Sequence, residues 1–270
     1  MTDLIQTDLI NIEQHGEIVH IILNRPDKRN ALNLPMMEQL DSVMDDIERL
    51  NGVRVVILRG EGPGFSAGID LMGFMTGELN DRFGEGWREN LFTLTAFYQG
   101  IMTKIEACTY PVIALLHNYC LGMGFELALA CDFRIATTGT RLGLPEARIG
   151  LIPDVGGTTR LTRLIGVARA KEYIMTGREF DLTDAERWGV VNHVVAEDQL
   201  MARGIALADE LCAAAPLAVS YAKKVIDGMT DIERGLRMEA WAQSILIRTE
   251  DVMQGAQAMM TKQKPAWKGK

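Results

Sequence analysis

An α/β fold is predicted by three observations. Over roughly the first two hundred residues, apolar runs of strand length alternate with stretches of helical period. The later strands in that region are near-continuous apolar runs joined by crossovers, as buried strands are. From about Asp198 onward only helical periodicity remains. With 270 residues and 47% hydrophobic content, the chain can form one large domain or a domain with an appendage. We place the boundary near residue 200, giving an α/β core over 1–200 and a helical region over 201–270.

The elements come in order. "LINIEQHGEIVHIILNRP" reads as a hairpin, with Ile10 and Ile12 alternating with polar residues, a turn at His15-Gly16, and a more buried strand from Ile18 to Leu23. After Pro35, apolar residues at Met37, Leu40, Met44, Ile47 and Leu50 have helical spacing. A buried strand over Val53 to Gly60 runs into the Gly/Pro-rich loop "EGPGFSAGID". Residues 72–86 are polar and aperiodic, and a mobile loop or lid is expected there. A helix is expected from about Trp87 to Cys108, then the strand "PVIALLHN", the motif "LGMGFELALACD" and the strand "FRIAT". Beyond the boundary, four helical segments precede the basic tip "TKQKPAWKGK", which reads as a solvated tail.

Composition excludes several functions. The net charge of -8 argues against general nucleic-acid binding, which needs a basic face. The four cysteines form no C-x-x-C pair and lie in apolar stretches, as reduced core residues do. The four histidines lack metal-ligand spacing, so no metal is expected, and His117 reads as a satisfied core residue. The start has no signal-peptide pattern, and no run approaches the ~18 apolar residues of a membrane span. No membrane association and a cytoplasmic location are therefore expected.

Two motifs fail on context. "GFSAG" matches the nucleophile elbow G-x-S-x-G, but a Gly/Pro loop separates Ser66 from the strand, and the residues after it make a weak helix. "GMGFEL" begins like a dinucleotide fingerprint and ends in Leu127 where a small residue is required.

Three carboxylates remain. Glu126 stands in an apolar helix opening from a glycine turn, where an unpaired carboxylate is costly. Met123, three residues earlier, cannot complete a capping box; the helix dipole favours Glu126 without explaining its apolar surroundings. Glu146 follows Leu-Pro and can be a first-turn residue; Asp154 follows Ile-Pro and can cap the helix "GTTRLTRLIG". Alternatively, two or three such acids can serve as paired general acid and base, burial bringing their pKa values toward neutrality.

These residues resemble the crotonase (enoyl-CoA hydratase/isomerase) superfamily. The resemblance rests on "NRPDKRNAL" (Asn24 to Leu32), "FSAGIDL" (Phe65 to Leu71), "PVIALLHNYCLGMGFELALACDFRIA" (Pro111 to Ala136), "LPEARIGLIPDVGGTTRL" (Leu144 to Leu161) and the stretch ending at Val195, in family order. It implies a crotonase (ClpP-like) spiral of ββα units with a C-terminal helical trimerisation region, assembled as a homotrimer or dimer of trimers. It also implies an acyl-CoA thioester substrate, with coenzyme A as part of the substrate and no separate cofactor. Backbone N–H groups of Ile69 and Met123 would form the oxyanion hole, a device worth on the order of 3–4 kcal/mol per donor. Ala67, Gly68, Asp70, Leu71 and Gly122 would line the substrate, and Arg25 and Lys28, with Lys262 or Lys264 as further candidates, would flank the CoA phosphates. In the hydratase pattern Glu126 and Glu146 hold a water, which adds across the 2,3 double bond.

Asp154 departs from that pattern, since many hydratases carry glycine there. Its spacing from Glu146 is similar to that of 3,5-2,4-dienoyl-CoA isomerases, which would use Glu146 and Asp154. An acyl-CoA thioesterase using Ser66 and a non-enzymatic paralogue are the remaining alternatives.

Overall fold

The computed structural model describes residues 8–74, 78–88, 91–229 and 232–270. Its main sheet has six strands in the order β1-β2-β3-β4-β6-β8, namely β1 (Ile10–His15), β2 (Ile18–Leu23), β3 (Val55–Gly60), β4 (Val112–Leu116), β6 (Phe133–Thr137) and β8 (His193–Val195). Only β1 and β2 pair antiparallel, across a turn at Gly16-Glu17, one residue later than expected. The other pairs are parallel, so each needs a crossover. Helix α1 (Leu34–Ile47) makes the first, capped by Asn33 Oδ1, which accepts from Met36 N at 3.2 Å. Helices α2 (Glu78–Phe83) and α3 (Leu91–Glu106) make the second.

Two three-residue strands, β5 (Tyr119–Leu121) and β7 (Arg141–Gly143), form a second parallel sheet. The unit β4-β5-α4, with α4 spanning Met123–Leu129, is followed by β6-β7-α5, with α5 spanning Gly157–Thr176. The loop after β3 joins the small sheet by a bridge from Ser66 to Cys120. This is the expected spiral of ββα units, and its inner turns bring the ends of short strands together.

One sheet face carries the main core, packed with α1, α3 and α4. The opposite face is covered by α7 (Leu200–Cys212), whose Ala208, Leu207 and Leu211 meet Val55, Ile57, Ile113, Leu115 and Ile135. Gly204 lets α7 come close, since a Cβ there would lie 2.8 Å from Leu115 Cδ2. Between them, α6 (Leu182–Arg187) leads into β8; α8 (Pro216–Gly228), α9 (Ile232–Leu246) and α10 (Glu250–Thr261) complete the chain. Among the described residues no single helix is long and apolar enough to cross a membrane.

Three expectations need correction. Residues 72–86 are largely structured rather than loop: a 3-10 turn over Leu71–Phe74 and α2 are fixed by buried Leu79 and Trp87, with Trp87 Nε1 donating to Asn80 Oδ1 at 3.0 Å. Residues 75–77 of the expected lid lie outside the described residues. Trp87 belongs to the turn before α3, not to the helix, because its N–H closes on Gly84 O. The helix after Gly156 runs on to Thr176, interrupted at Gly166 (φ 77°).

The basic tip keeps its lysines exposed but is not a free tail. It folds back so that Trp267 Nε1 donates to Ala213 O (2.8 Å), while the amides of Lys268 and Gly269 donate to the two carboxylate oxygens of buried Asp251 (2.7 and 3.0 Å).

Candidate active site

Gly122 turns the chain from β5 into α4 at φ 52°, ψ -130°, a conformation that suits a residue without Cβ. All seven residues of α4 are buried, so the fourth, Glu126, is carried into the core at 2% exposure. Its Oε1 accepts N–H bonds from Val155 (3.0 Å) and Gly157 (2.8 Å). These belong to the turn opening α5, so a carboxylate from one helix satisfies orphan donors of another. Gly157 must be small: a Cβ would fall 2.9 Å from Glu126 Oε1 and Cγ. The other oxygen of Glu126 makes no hydrogen bond among the described residues. Burial pushes Glu126 up to about 8; the Gly157 and Val155 amides oppose this, and Glu146 and Asp154 add to it.

Glu146 opens a 3-10 turn after β7. Its Oε1 lies against Gly122, 3.1 Å from where a Cβ would stand. Its Oε2 is buried and has no protein partner among the described residues, the state of a group that meets something other than protein. Burial, reinforced by the Asp154 charge, raises it to about 7.

The turns that carry the two expected oxyanion amides meet beside Glu146. Leu32 bridges the loop by donating to Gly68 O and accepting from Asp70 N, both at 2.8–2.9 Å. In an extended segment alternate residues face opposite ways, so the Ile69 N–H points away from Leu32. The Met123 N–H is the first of α4, where no intrahelical acceptor exists. A Cβ on Gly68 (φ 99°) would sit 3.5 Å from the Met123 nitrogen and 2.7 Å from Leu121 O, so the two turns touch backbone to backbone.

Ser66 explains that contact. It is fully buried, donates to Asn30 O (2.8 Å) and accepts from Gly68 N (3.2 Å). Gly124 lies against it, and a Cβ on Gly124 would clash with the Ser66 side chain at 2.7 Å. No histidine reaches Ser66 among the described residues: His117 bonds Gly62 O and His193 meets Arg203. The hydroxyl is a brace and lacks the base that a nucleophile needs.

The remaining residues divide between bracing and exposure. Arg25 is engaged with Asp70 Oδ2 (2.9 Å) and Ala31 O (2.6 Å), so this pair fixes the loop. Lys28 is exposed on the same turn, Ala67 donates to Arg29 O, and Leu71 is half exposed. Lys262 and Lys264 are exposed beyond α10.

Asp154 does not cap α5. The cap position is Gly156, without a side-chain bond, because the amides go to Glu126 instead. The Asp154 carboxylate is exposed and accepts from Thr95 Oγ1 at 2.9 Å. Sequence reasoning missed the Val155 and Gly157 amides; the glycine pair after Pro153-Asp154 was the only signal for them.

Known proteins are similar to this chain in sequence and in fold. The family model described as enoyl-CoA hydratase/isomerase matches residues 13–270. YngF of Bacillus subtilis is 40% identical over 252 residues, 92% of this chain and 94% of the relative. Carnitinyl-CoA dehydratase of Citrobacter koseri is 36% identical over 272 residues, 98% of this chain and all of the relative (100%). The crystal structure of an enoyl-CoA hydratase from Bacillus anthracis superposes with TM-score 0.88 at 37% identity, covering 97% of this chain and 100% of that one.

Proposed function

Since the chain belongs to the enoyl-CoA hydratase/isomerase family, enzymes acting on acyl-CoA thioesters, we propose that it hydrates a 2-enoyl-CoA with Glu126 and Glu146 as base and acid. The observation that carries this reading is that two raised carboxyls share one neighbourhood: the Glu146 charge acts on Glu126, and Glu146 Oε1 lies against Gly122, the turn that opens the helix carrying Glu126. Similarity to a dehydratase and a hydratase, which remove or add water, points the same way.

In the proposed reaction a water lies between the free oxygens of Glu126 and Glu146. Glu126 takes one proton as the water oxygen bonds to C3 of the enoyl group. The C2–C3 π electrons move onto the thioester oxygen, and the Ile69 and Met123 amides stabilise the enolate. When the carbonyl re-forms, C2 takes the proton of Glu146. One water is added, Glu126 ends protonated and Glu146 ionised, and proton transfer between them resets the pair. Exposed Lys28 on the loop turn would meet the CoA phosphates, with Arg25 holding the loop through Asp70. We further infer a homotrimer or dimer of trimers.

The test offers the purified protein a 2-enoyl-CoA and, separately, a 3,5-dienoyl-CoA, with products resolved by mass. Gain of one water on the first substrate is expected. Conversion of the second to its 2,4-isomer without hydration of the first would replace this reading with an isomerase using Glu146 and Asp154.

A further inference from the structure

The turn that grips Glu126 is itself gripped. Every carbonyl from Pro153 to Gly156 accepts a side-chain donor: Pro153 O from Thr158 Oγ1 (2.8 Å), Asp154 O from Gln99 Nε2 (2.7 Å), Val155 O from Arg160 Nη1 (3.3 Å) and Gly156 O from Thr159 Oγ1 (3.1 Å). Thr95 Oγ1 holds the Asp154 carboxylate, and Glu106 holds Arg160 through Nε and Nη2 (3.2 and 2.7 Å). Thr95 and Gln99 are one turn apart on α3, and Glu106 lies on the same face two turns further on. A single face of α3 therefore fastens the turn along its length.

We propose that Thr95 and Gln99 are positioning residues for the reaction, holding the Pro153–Gly157 turn so that its two amides stay on Glu126 Oε1. The inference rests on Glu126 acting as the base. Two N–H bonds to one oxygen favour the ionised form and leave the other oxygen aimed at water. They do this only while the Val155 and Gly157 nitrogens stay about 3 Å away, and nothing within α4 enforces that distance. The Ile152–Thr159 turn otherwise faces a groove of about 630 Å³ lined by Arg88, Leu91, Phe92, Thr95 and Gln99, and from that side Thr95 and Gln99 of α3 hold it by hydrogen bonds. The charged groups facing Glu126 are Glu146, from the turn after β7, and Asp154. Replacing Gln99 leaves the side-chain contacts of both as they are, whereas replacing Thr95 also frees the Asp154 carboxylate, so Gln99→Leu alone reports on the amides.

The experiment compares wild type with Thr95→Val, Gln99→Leu and the double variant, using Thr95→Ser as the conservative control. The Glu126 carboxyl is titrated by ¹³C NMR in the ligand-free protein, and kcat and KM are measured on a 2-enoyl-CoA. In the double variant the Glu126 titration is expected to move up by roughly half a unit or more as its amide bonds loosen. We expect kcat to fall roughly three- to tenfold with KM within about twofold, and Thr95→Ser to behave as wild type. An unmoved Glu126 titration in a folded double variant overturns the proposal, as does a rise in KM alone. If wild type hydrates no enoyl-CoA but the Glu126 titration still moves, the hydratase reading fails and the clamp stands.

Discussion

Glu126 is held by two amides that favour its charge inside surroundings that oppose it, and burial is the larger effect. With Glu126 near 8 and Glu146 near 7, the pair shares about one proton between those values, mostly on Glu126, so the reacting form with the proton on Glu146 is the minor one of the two. Below that window both carboxyls are protonated and the base is lost; above it both are ionised and the acid is lost. The profile of kcat against pH should be bell-shaped, with limbs near 7 and 8 that belong to the pair. A rate still climbing at about pH 10 would sink the assignment. Glu126→Gln keeps an oxygen for the two amides and removes the base, so kcat should fall by roughly 10²–10⁴ while the fold persists. The same variant tests the linkage. A folded-state pKa raised from the ordinary 4.5 to about 8 means the unfolded chain holds fewer protons across that interval. Wild-type stability should therefore decline as pH rises from about 4.5 to 8, whereas Glu126→Gln should lack that component. The stability of the variant relative to wild type, read by denaturant titration at each pH, should rise across the window and level off above it, by an amount on the order of a few kcal/mol. A difference independent of pH would show that Glu126 ionises as an exposed carboxylate does.

At the scale of elements, the site depends on how closely the loop after β3 meets the start of α4. Gly68→Ala would place a Cβ 2.7 Å from Leu121 O on a backbone at φ 99°, pushing the two oxyanion amides apart. Its kcat should fall by roughly 10²-fold, with a stability loss of about 1–3 kcal/mol seen in denaturant titration. Ser66→Ala removes the brace beneath that contact, leaving Asn30 O and Gly68 N unpaired, and should cost about 1–3 kcal/mol. It should still keep more than roughly a tenth of the activity, whereas loss of a true nucleophile costs far more. The same geometry explains how much the sequence made legible. The apolar runs of β2, β3 and β4 announce buried strands, and Glu126 stands out because a carboxylate interrupts an otherwise apolar helix. Strands β5 and β7, three residues each, carry too little pattern to be seen, although they aim Gly122 and Glu146 at one another. Asp154 misleads because a helix cap is a local expectation, while the amides of its turn are taken by Glu126, far earlier in the chain. Leu79 and Trp87, which order the stretch that reads as a loop, are too widely spaced to show a period.

Across the whole molecule, the C-terminal strap decides how the last helices are tied to the rest. Asp251, in the first turn of α10, is buried and receives the Lys268 and Gly269 amides; Trp267 reaches the end of α7 at Ala213 O; and Glu250 N donates to Lys270 O. The strap thus closes a ring through α10, the chain's last residues and the α7–α8 junction, and α7 is the helix that covers the sheet opposite the site. Asp251→Ala would leave two amides without their acceptor, at a cost of about 1–3 kcal/mol. For a chain of this size that corresponds to a fall of roughly 2–10 °C in melting temperature. Lys268→Ala removes only the exposed ion pair with Glu250 and should change nothing measurable, since such pairs contribute little. Neither variant touches Glu126, Glu146 or the turn at Pro153–Gly157, so both should keep the wild-type pH profile. Thermal melts of the two variants beside wild type separate the contributions: equal, small effects would mean the strap rests passively on α10, and a large loss confined to Asp251→Ala would mean that its buried carboxylate holds the ring closed.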